Sequence, residues 1–157
     1  LEQTVRGLGA MRPVPGRLQL KQAACGAWII DDSYNANPSS VRAGIEVLAS
    51  IAGRRWLVLG DMAELGELAA DAHAQIGAFA SEHGVECLLA TGPLAALAVE
   101  QFGTGGQWFP DTEALTRELQ RGLASGTTLL VKGSRVNRLE RVVAALVGNA
   151  NDNPDGH

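Results

Sequence analysis

One short stretch of the chain concentrates polar side chains of the kind that bind ligands. Residues 31–38 read Asp-Asp-Ser-Tyr-Asn-Ala-Asn-Pro, which is two carboxylates, a hydroxyl, a phenol and two amides in eight positions. Asp32, with a cation beside it, could hold a ribose or position a phosphate, and Tyr34 could stack on a base. The simpler alternatives are a surface ion pair, worth at most about 1 kcal/mol when exposed, and a tyrosine that covers the end of a sheet.

The flanking residues place this stretch between a strand and a helix. An apolar run at 27–30 precedes it, and Val41, Ile45 and Leu48 follow at helical spacing. Asn37 suits the cap of that helix and Pro38 its first position, so Asn37 taken alone is interpreted as a cap. Turns of this kind are where open α/β sheets bind ligands.

A strand predicted before the stretch brings a cation towards it. Residues 18–20 alternate as a half-exposed strand does, and residues 22–26 suit a turn. If this strand pairs with residues 27–30 in a hairpin, positions whose numbers add up to about 49 face each other. Arg17 is therefore predicted to lie opposite Asp32.

Two further predicted strands also end in polar residues. Asp61 and Glu64 follow an apolar run at 56–59, and could bind an ammonium group or be solvated loop acids. Lys132 and Ser134 follow the run at 127–131, where a lysine and a hydroxyl before a helix could bind an anion. His73 is interpreted as a packed histidine rather than a base, and the three histidines form no metal-binding set.

Short apolar strands alternate with amphipathic helices along the whole chain, which favours an α/β fold. We expect a Rossmann-like, doubly wound, mostly parallel sheet with an antiparallel hairpin at its N-terminal edge. Right-handed crossovers bring the loops that follow the parallel strands to one rim of such a sheet. The predicted rim carries residues 31–37, 61–64, 91–92 and 132–135.

Composition limits the classes of partner. With 46% hydrophobic and 19% charged residues among 157, the chain suits one globular domain. A net charge of -4 without a basic stripe argues against nucleic acid. The sequence has no apolar run of membrane-spanning length, so we expect no membrane insertion and a cytoplasmic location. Cys25 and Cys87 are interpreted as reduced thiols.

The sequence lacks the common nucleotide-binding motifs. The sequence contains no G-x-x-x-x-G-K-[ST] phosphate loop and no G-x-G-x-x-G fingerprint. Taken alone, the chain lacks a complete apparatus for nucleotide hydrolysis. Because it begins with Leu1 rather than Met, we expect it to be a piece of a longer protein.

Four stretches together resemble the C-terminal domain of the Mur ligases, from about residue 16 to residue 146. They are Pro-Gly-Arg at 15–17, the octet at 31–38, Leu-Gly-Asp-Met-Ala-Glu-Leu-Gly at 59–66 and Val-Lys-Gly-Ser-Arg at 131–135. The resemblance implies a linker from a central ATPase domain at 1–15, the Mur ligase domain at 16–148 and a disordered tail at 149–157. The octet is most similar to the members that add D-alanyl-D-alanine.

The resemblance implies an ATP-dependent amide-bond ligase of peptidoglycan synthesis. In such an enzyme ATP phosphorylates the terminal carboxylate of UDP-N-acetylmuramoyl-tripeptide, and the amine of D-alanyl-D-alanine attacks the acyl phosphate. The N-terminal domain of the same polypeptide would hold the UDP-sugar. The central domain would carry the phosphate loop and bind most of the ATP and Mg²⁺, so this fragment is expected to be inactive by itself.

The resemblance also implies roles for individual residues. Arg17 would contact nucleotide phosphates and Asp32 the ribose hydroxyls, with Tyr34 and Asn35 beside the adenine. The candidates for the dipeptide pocket are Asn37, Asp61, Glu64, Lys132, Ser134 and Arg135. Two alternatives stay open: another Mur or folylpolyglutamate-type ligase, and a non-catalytic module that binds a nucleotide or peptide.

Overall fold

The computed structural model describes residues 19–33, 36–133 and 137–151, with only the backbone for 148–151. These residues form six strands, five α-helices and one 3-10 turn. In chain order they are β1 Gln19–Gln22, β2 Trp28–Asp32, α1 Pro38–Ala49, β3 Arg54–Leu59, the 3-10 turn Gly66–Leu68, α2 Ala69–Glu82, β4 Cys87–Thr91, α3 Ala95–Phe102, β5 Gly106–Phe109, α4 Thr112–Gly122, β6 Thr127–Lys132 and α5 Glu140–Asn151.

The strands form one sheet in the order β1-β2-β6-β3-β4-β5. β1 pairs with β2 antiparallel, whereas the other four pairings are parallel. The predicted mostly parallel sheet with an antiparallel hairpin edge is therefore confirmed. β6 is the last strand in the chain but lies between β2 and β3, and all six of its residues are buried.

Helices cover both faces of the sheet. The first apolar layer joins α1, α2 and α3 to side chains such as Ile30, Leu57 and Leu130. The second joins α4 and α5 to their strand neighbours Ile29, Val58 and Leu129. Successive residues of a strand point to opposite faces, so each central strand contributes to both layers. None of the described helices is long and apolar enough to cross a membrane.

The predicted hairpin forms, but its register differs by one residue from the prediction. Gln19 faces Asp31 and Leu20 faces Ile30, so that paired positions add up to 50 rather than 49. The turn sets this register, because the amide of Ala23 donates to the carbonyl of Ala27 at 2.9 Å. Gln19, the first described residue of β1, faces Asp31. Arg17, which was predicted to lie opposite Asp32, is outside the described residues.

The sequence pattern predicts helices at 93–102 and at about 136–147, and the structure differs at three of these four boundaries. Asp111 precedes leucines at helical spacing, which predicts a helix cap, and it does cap α4, accepting the amide of Ala114 at 2.8 Å. α3 begins at Ala95 rather than at Pro93. α5 begins at Glu140 and continues to Asn151, past the expected end near residue 147. Residues 149–151 are thus helical rather than part of a tail, because asparagine and glycine weaken a helix without necessarily ending it.

Candidate functional site

The C-terminal ends of β2, β6 and β3 lie side by side at one rim of the sheet. From β2 and β3 the chain continues to helices on one face, and from β6 it continues to α5 on the other. Crevices open where neighbouring strands send their chains to opposite faces, and these are the usual ligand sites of open α/β sheets. By this rule, a crevice is expected on each side of the end of β6.

The two adjacent carboxylates at the end of β2 serve different purposes. Asp31 is buried, and its Oδ2 accepts a bond from Nζ of Lys21 at 2.8 Å. Its Oδ1 accepts both the amide and the hydroxyl of Ser33, at 3.1 and 2.7 Å. Both oxygens of Asp31 are thus used in holding the hairpin and the start of the loop.

Asp32 lies on the opposite face of the sheet and pairs with Lys132. The two residues are register partners in β2 and β6, and Nζ of Lys132 donates to Oδ2 of Asp32 at 2.5 Å. The lysine side chain is fully buried, whereas 16% of the aspartate side chain is exposed. Nζ also lies 3.4 Å from Oγ of Ser40 in α1. The aspartate therefore reaches the rim while its cation stays beneath it.

Asn37 caps α1, as its sequence context predicts. Its Oδ1 accepts the amide of Ser40 at 2.9 Å, and Oγ of Ser40 accepts the amide of Asn37 at 3.1 Å. This reciprocal capping box satisfies two amides that the helix itself leaves free. Ser40 thus connects the cap of α1 to the buried Lys132.

Asp61, which follows β3, caps a helix that begins more than thirty residues later. Its Oδ1 accepts the amides of Leu94 and Ala95 at 3.0 and 2.8 Å, at the first turn of α3. Gly92 has a φ of 104°, and a Cβ on it would lie 2.4 Å from Oδ1 of Asp61. Glycine at 92 is therefore required both by the backbone conformation and by the close approach of the carboxylate.

His73 in α2 supports the same loop. Its ring is completely buried, with Nε2 2.8 Å from the amide of Met62 and Nδ1 2.7 Å from the carbonyl of Ala69. An amide can only donate and a carbonyl can only accept, so the ring is neutral with its proton on Nδ1. The expectation of a packed histidine is confirmed.

Glu64 is the exposed acid of this loop. Its φ is 64°, in the left-handed region that residues other than glycine seldom adopt. Such a conformation persists only where the surrounding structure enforces it. Here Asp61 and Met62 fix the preceding backbone through the bonds just described.

The described part of the rim presents anchored carboxylates rather than a metal centre. Within these residues no group of three or more His, Cys, Asp or Glu side chains is placed to hold a metal ion. No described residue donates a hydrogen bond to Oδ1 of Asp32. A carboxylate oxygen can accept bonds from hydroxyl groups. This geometry suits a polyhydroxyl ligand such as a ribose.

Residues 16–135 match the family described as Mur ligase, glutamate ligase domain. The chain belongs to this family. The chain is 40% identical, over 95% of its length, to UDP-N-acetylmuramoyl-tripeptide--D-alanyl-D-alanine ligase of Escherichia coli K12. That alignment covers 33% of the Escherichia coli protein, so the chain spans about a third of its relative.

Solved structures agree with this assignment. MurF from Acinetobacter baumannii superposes with a TM-score of 0.77 at 32% identity, covering 94% of this chain and 33% of the other. MurF ligase from Thermotoga maritima, solved in complex with ADP, gives a TM-score of 0.78 at 26% identity, covering 95% and 36%. The resemblance inferred from the four sequence stretches is confirmed.

The structure describes some of the predicted site residues of this Mur ligase domain and brings two of them together. Asp32 and Lys132 form one ion pair, although the sequence assigned them to separate nucleotide and dipeptide pockets. Asn37 joins them through Ser40, whereas Asp61 and Glu64 lie in the loop after β3. The predicted residues Arg17, Tyr34, Asn35, Ser134 and Arg135 lie outside the described residues.

Two supporting residues and one supporting contact were missed from the sequence. Ser40 had a readable signal, because a hydroxyl three residues after a capping asparagine completes a capping box. Lys21 had a weaker one, since it faces Asp31 diagonally in the hairpin. The bond between His73 and Met62 joins a helix to a loop through tertiary packing alone, and no local pattern predicts it.

Proposed function

We propose that this domain is the C-terminal part of an ATP-dependent ligase that joins D-alanyl-D-alanine to UDP-N-acetylmuramoyl-tripeptide. The name of the Escherichia coli relative, and its 40% identity over 95% of this chain, support the proposal. The complex of the Thermotoga maritima enzyme with ADP supports a nucleotide ligand. The ligase would act in peptidoglycan precursor synthesis, in the cytoplasm where ATP and UDP-linked precursors are available.

One observation in this chain carries the proposal: Asp32 stands at the end of β2 beside β6, with one carboxylate oxygen anchored and no described residue bonded to the other. An anchored carboxylate can accept hydrogen bonds from both hydroxyls of a ribose with little loss of side-chain entropy. In our proposal Asp32 holds the ribose of ATP and Arg17 contacts its phosphates. In the same proposal Tyr34 and Asn35 would lie beside the adenine.

The loop after β3 and the residues after β6 would receive the dipeptide. Glu64 is exposed and can attract the ammonium group of D-alanyl-D-alanine. Ser134 and Arg135 would bind its carboxylate, since a guanidinium pairs with carboxylates in two parallel bonds. Asn37 and Asp61 use Oδ1 for helix caps, so they can contribute through their remaining polar atom.

The chemistry would require the rest of the polypeptide. ATP would transfer its terminal phosphoryl group to the tripeptide carboxylate, the dipeptide amine would attack the acyl phosphate, and phosphate would leave. The phosphate loop and Mg²⁺ ligands would belong to the central domain, since this sequence contains no phosphate-loop motif. This domain would complete the nucleotide site when it closes over it.

Phosphate release by the full-length protein tests the proposal. With ATP, Mg²⁺ and UDP-N-acetylmuramoyl-tripeptide, we expect turnover when D-alanyl-D-alanine is added and none with L-alanyl-L-alanine. Turnover only with glutamate and a folate acceptor would assign a folylpolyglutamate-type ligase. Nucleotide binding without turnover on either set would indicate a binding module.

The isolated chain provides a second test with the same assay. We expect no phosphate release from residues 1–157 alone, because the transferred phosphoryl group has no phosphate loop to hold it. Substantial turnover by the fragment would contradict the division of the site between domains.

A further inference from the structure

We propose that Lys132 is a positioning residue that acts on the nucleotide through Asp32 and makes no contact with the dipeptide. The inference rests on the proposed function and changes the role that the sequence suggested for this lysine. It follows from the burial of Lys132, from the atom of Asp32 that it holds, and from its link to α1.

Burial separates the lysine from the ligand. The whole side chain is inaccessible, and its ammonium already contacts Asp32 at 2.5 Å and Ser40 at 3.4 Å. A charge moved out of water needs such partners, and removing one of them is strongly unfavourable. A dipeptide carboxylate that approached Lys132 would have to displace the aspartate and would leave that negative charge unpaired.

The pairing determines which oxygen of Asp32 meets a ligand. Lys132 holds Oδ2, and no described residue donates to Oδ1. The lysine therefore fixes the carboxylate in one orientation before any nucleotide binds. Such preorganisation increases affinity because the side chain has little freedom left to lose on binding.

The lysine also joins three elements at the rim. It lies at the end of β6, pairs with the end of β2, and reaches Ser40 in the first turn of α1. Ser40 in turn accepts the amide of Asn37 and completes the capping box. The ribose-binding carboxylate and the N-terminus of α1 are thus held in one fixed relation.

Stability alone does not account for a lysine at this position. The preceding residues of β6 are buried, and Leu129, Leu130 and Val131 are fully buried apolar residues. Replacing a buried ion pair by apolar residues of similar volume is often neutral or stabilising. A buried lysine that costs desolvation and gains little stability is better explained by its effect on the carboxylate above it.

Steady-state kinetics and ADP binding by the full-length protein test the inference. Lys132→Met is expected to raise the KM for ATP and the Kd of ADP about tenfold or more, the loss of a charged hydrogen bond. The KM for D-alanyl-D-alanine should stay within about twofold. Asp32→Asn/Lys132→Met should bind ADP no more weakly than Asp32→Asn alone, because the lysine acts only through the aspartate.

Lys21→Met is the matched control. It breaks the neighbouring ion pair with Asp31 on the other face of the sheet, 2.8 Å between the charged atoms. We expect its Kd for ADP to stay within about twofold of the wild type. An equal loss of ADP binding in both lysine variants would show that breaking either ion pair at the rim weakens ADP binding. That result would overturn the specific role of Lys132.

Two other results would overturn the inference. One is a Lys132→Met protein whose KM rises for the dipeptide while ADP binding is unchanged. The other is a double variant that binds ADP more than about threefold more weakly than Asp32→Asn. If Lys132→Met alone does not fold, the comparison of the double variant with Asp32→Asn still tests the inference. The double variant leaves no unpaired charge at the site of this ion pair. ADP binding needs no ligation, so a wild type that binds ADP without ligating D-alanyl-D-alanine would contradict only the proposed function.

Discussion

Nε2 of His73 accepts the amide N–H of Met62 at 2.8 Å, and this bond ties the loop after β3 to α2. The opposite nitrogen donates to the carbonyl of Ala69, so the neutral ring has no free position. Met62 itself is buried, while Glu64, two residues on, is exposed. The loop that presents Glu64 is therefore shaped from inside the domain, before a ligand arrives.

Replacing His73 should destabilise the domain. His73→Ala removes two hydrogen bonds, leaves the buried amide of Met62 without its acceptor and opens a cavity, so we expect a loss of about 2–4 kcal/mol in the free energy of unfolding. Urea denaturation of the 157-residue chain measures it. His83→Ala is the control: that ring is half-buried, bonds the carbonyl of Phe79 at 2.8 Å, and should cost less than about 1 kcal/mol. Equal losses would contradict the central position given to His73.

Asp61 should contribute mainly to stability. Asp61→Ala removes the acceptor for two amides at the start of α3, and we expect a loss of about 1–2 kcal/mol. Asp61→Asn keeps an oxygen in the same place and should recover most of that loss. Thermal melting of both variants gives the comparison. An asparagine variant that melts like wild type but no longer ligates would show that the negative charge contacts the substrate.

Substitutions at Asn37 can likewise distinguish a helix-capping role from a contact with the dipeptide. Asn37→Ala should lower the free energy of unfolding by about 1 kcal/mol, whereas Asn37→Asp should be close to wild type because aspartate caps as well as asparagine. Melting temperature and the KM for D-alanyl-D-alanine should be measured together. If the aspartate variant keeps its stability and its KM, the residue acts as a cap. A KM that rises in both variants would indicate a contact through the amide nitrogen.

The two cysteines should differ in their reaction with a disulfide reagent. Cys25 is exposed in the hairpin turn, whereas burial, and then the nearby carboxylate of Glu86, raise the pKa of the Cys87 thiol. Thiolate is the reactive form, so Cys25 should be modified first and the rate at Cys87 should climb only at higher pH. Absorbance at several pH values, with Cys25→Ser and Cys87→Ser as references, distinguishes the sites. A faster reaction at Cys87 than at Cys25 would contradict this order.

The same shift predicts how stability varies with pH. Because the pKa of Cys87 is raised in the folded state, the unfolded thiol ionises first as the pH rises. The contribution of the protonated thiol to stability is complete below the unfolded pKa and declines above it, up to the folded pKa. Glu86→Gln should reduce this decline, since it removes the second cause of the shift. Urea midpoints at neutral and alkaline pH measure the effect.

Local sequence patterns were sufficient to predict the elements of the fold. Val41 and Ile45 at helical spacing, and the caps at Asn37 and Asp111, gave helices where the structure has them. The physical reason is that amphipathic spacing and capping act within a few residues. The hairpin register was wrong by one because it depends on the conformation of the turn at 23–27, which composition does not determine.

Contacts between distant parts of the chain could not be read in this way. Asp32 and Lys132 meet because β6 inserts beside β2, which brings together residues 100 positions apart. Asp61 reaches the amides of α3 for a similar reason, across a separation of 33 and 34 residues. Strand order is decided by packing over the whole domain. The sequence therefore indicated which polar side chains lie at the rim, but not which of them bond to one another or to a distant helix.

The position of β6 also determines the order in which this domain can assemble. Until residues 127–132 are available, the β1-β2 hairpin and the β3-β4-β5 unit have no strand to join them, and each has an open edge. Pairing across such long sequence separations is slow, because the chain must first close a large loop. During synthesis, the hairpin and the β3-β4-β5 unit can therefore join into one sheet only after nearly the whole domain has been made. A chain truncated before β6 would leave both edges unpaired, and we expect it to be prone to aggregation.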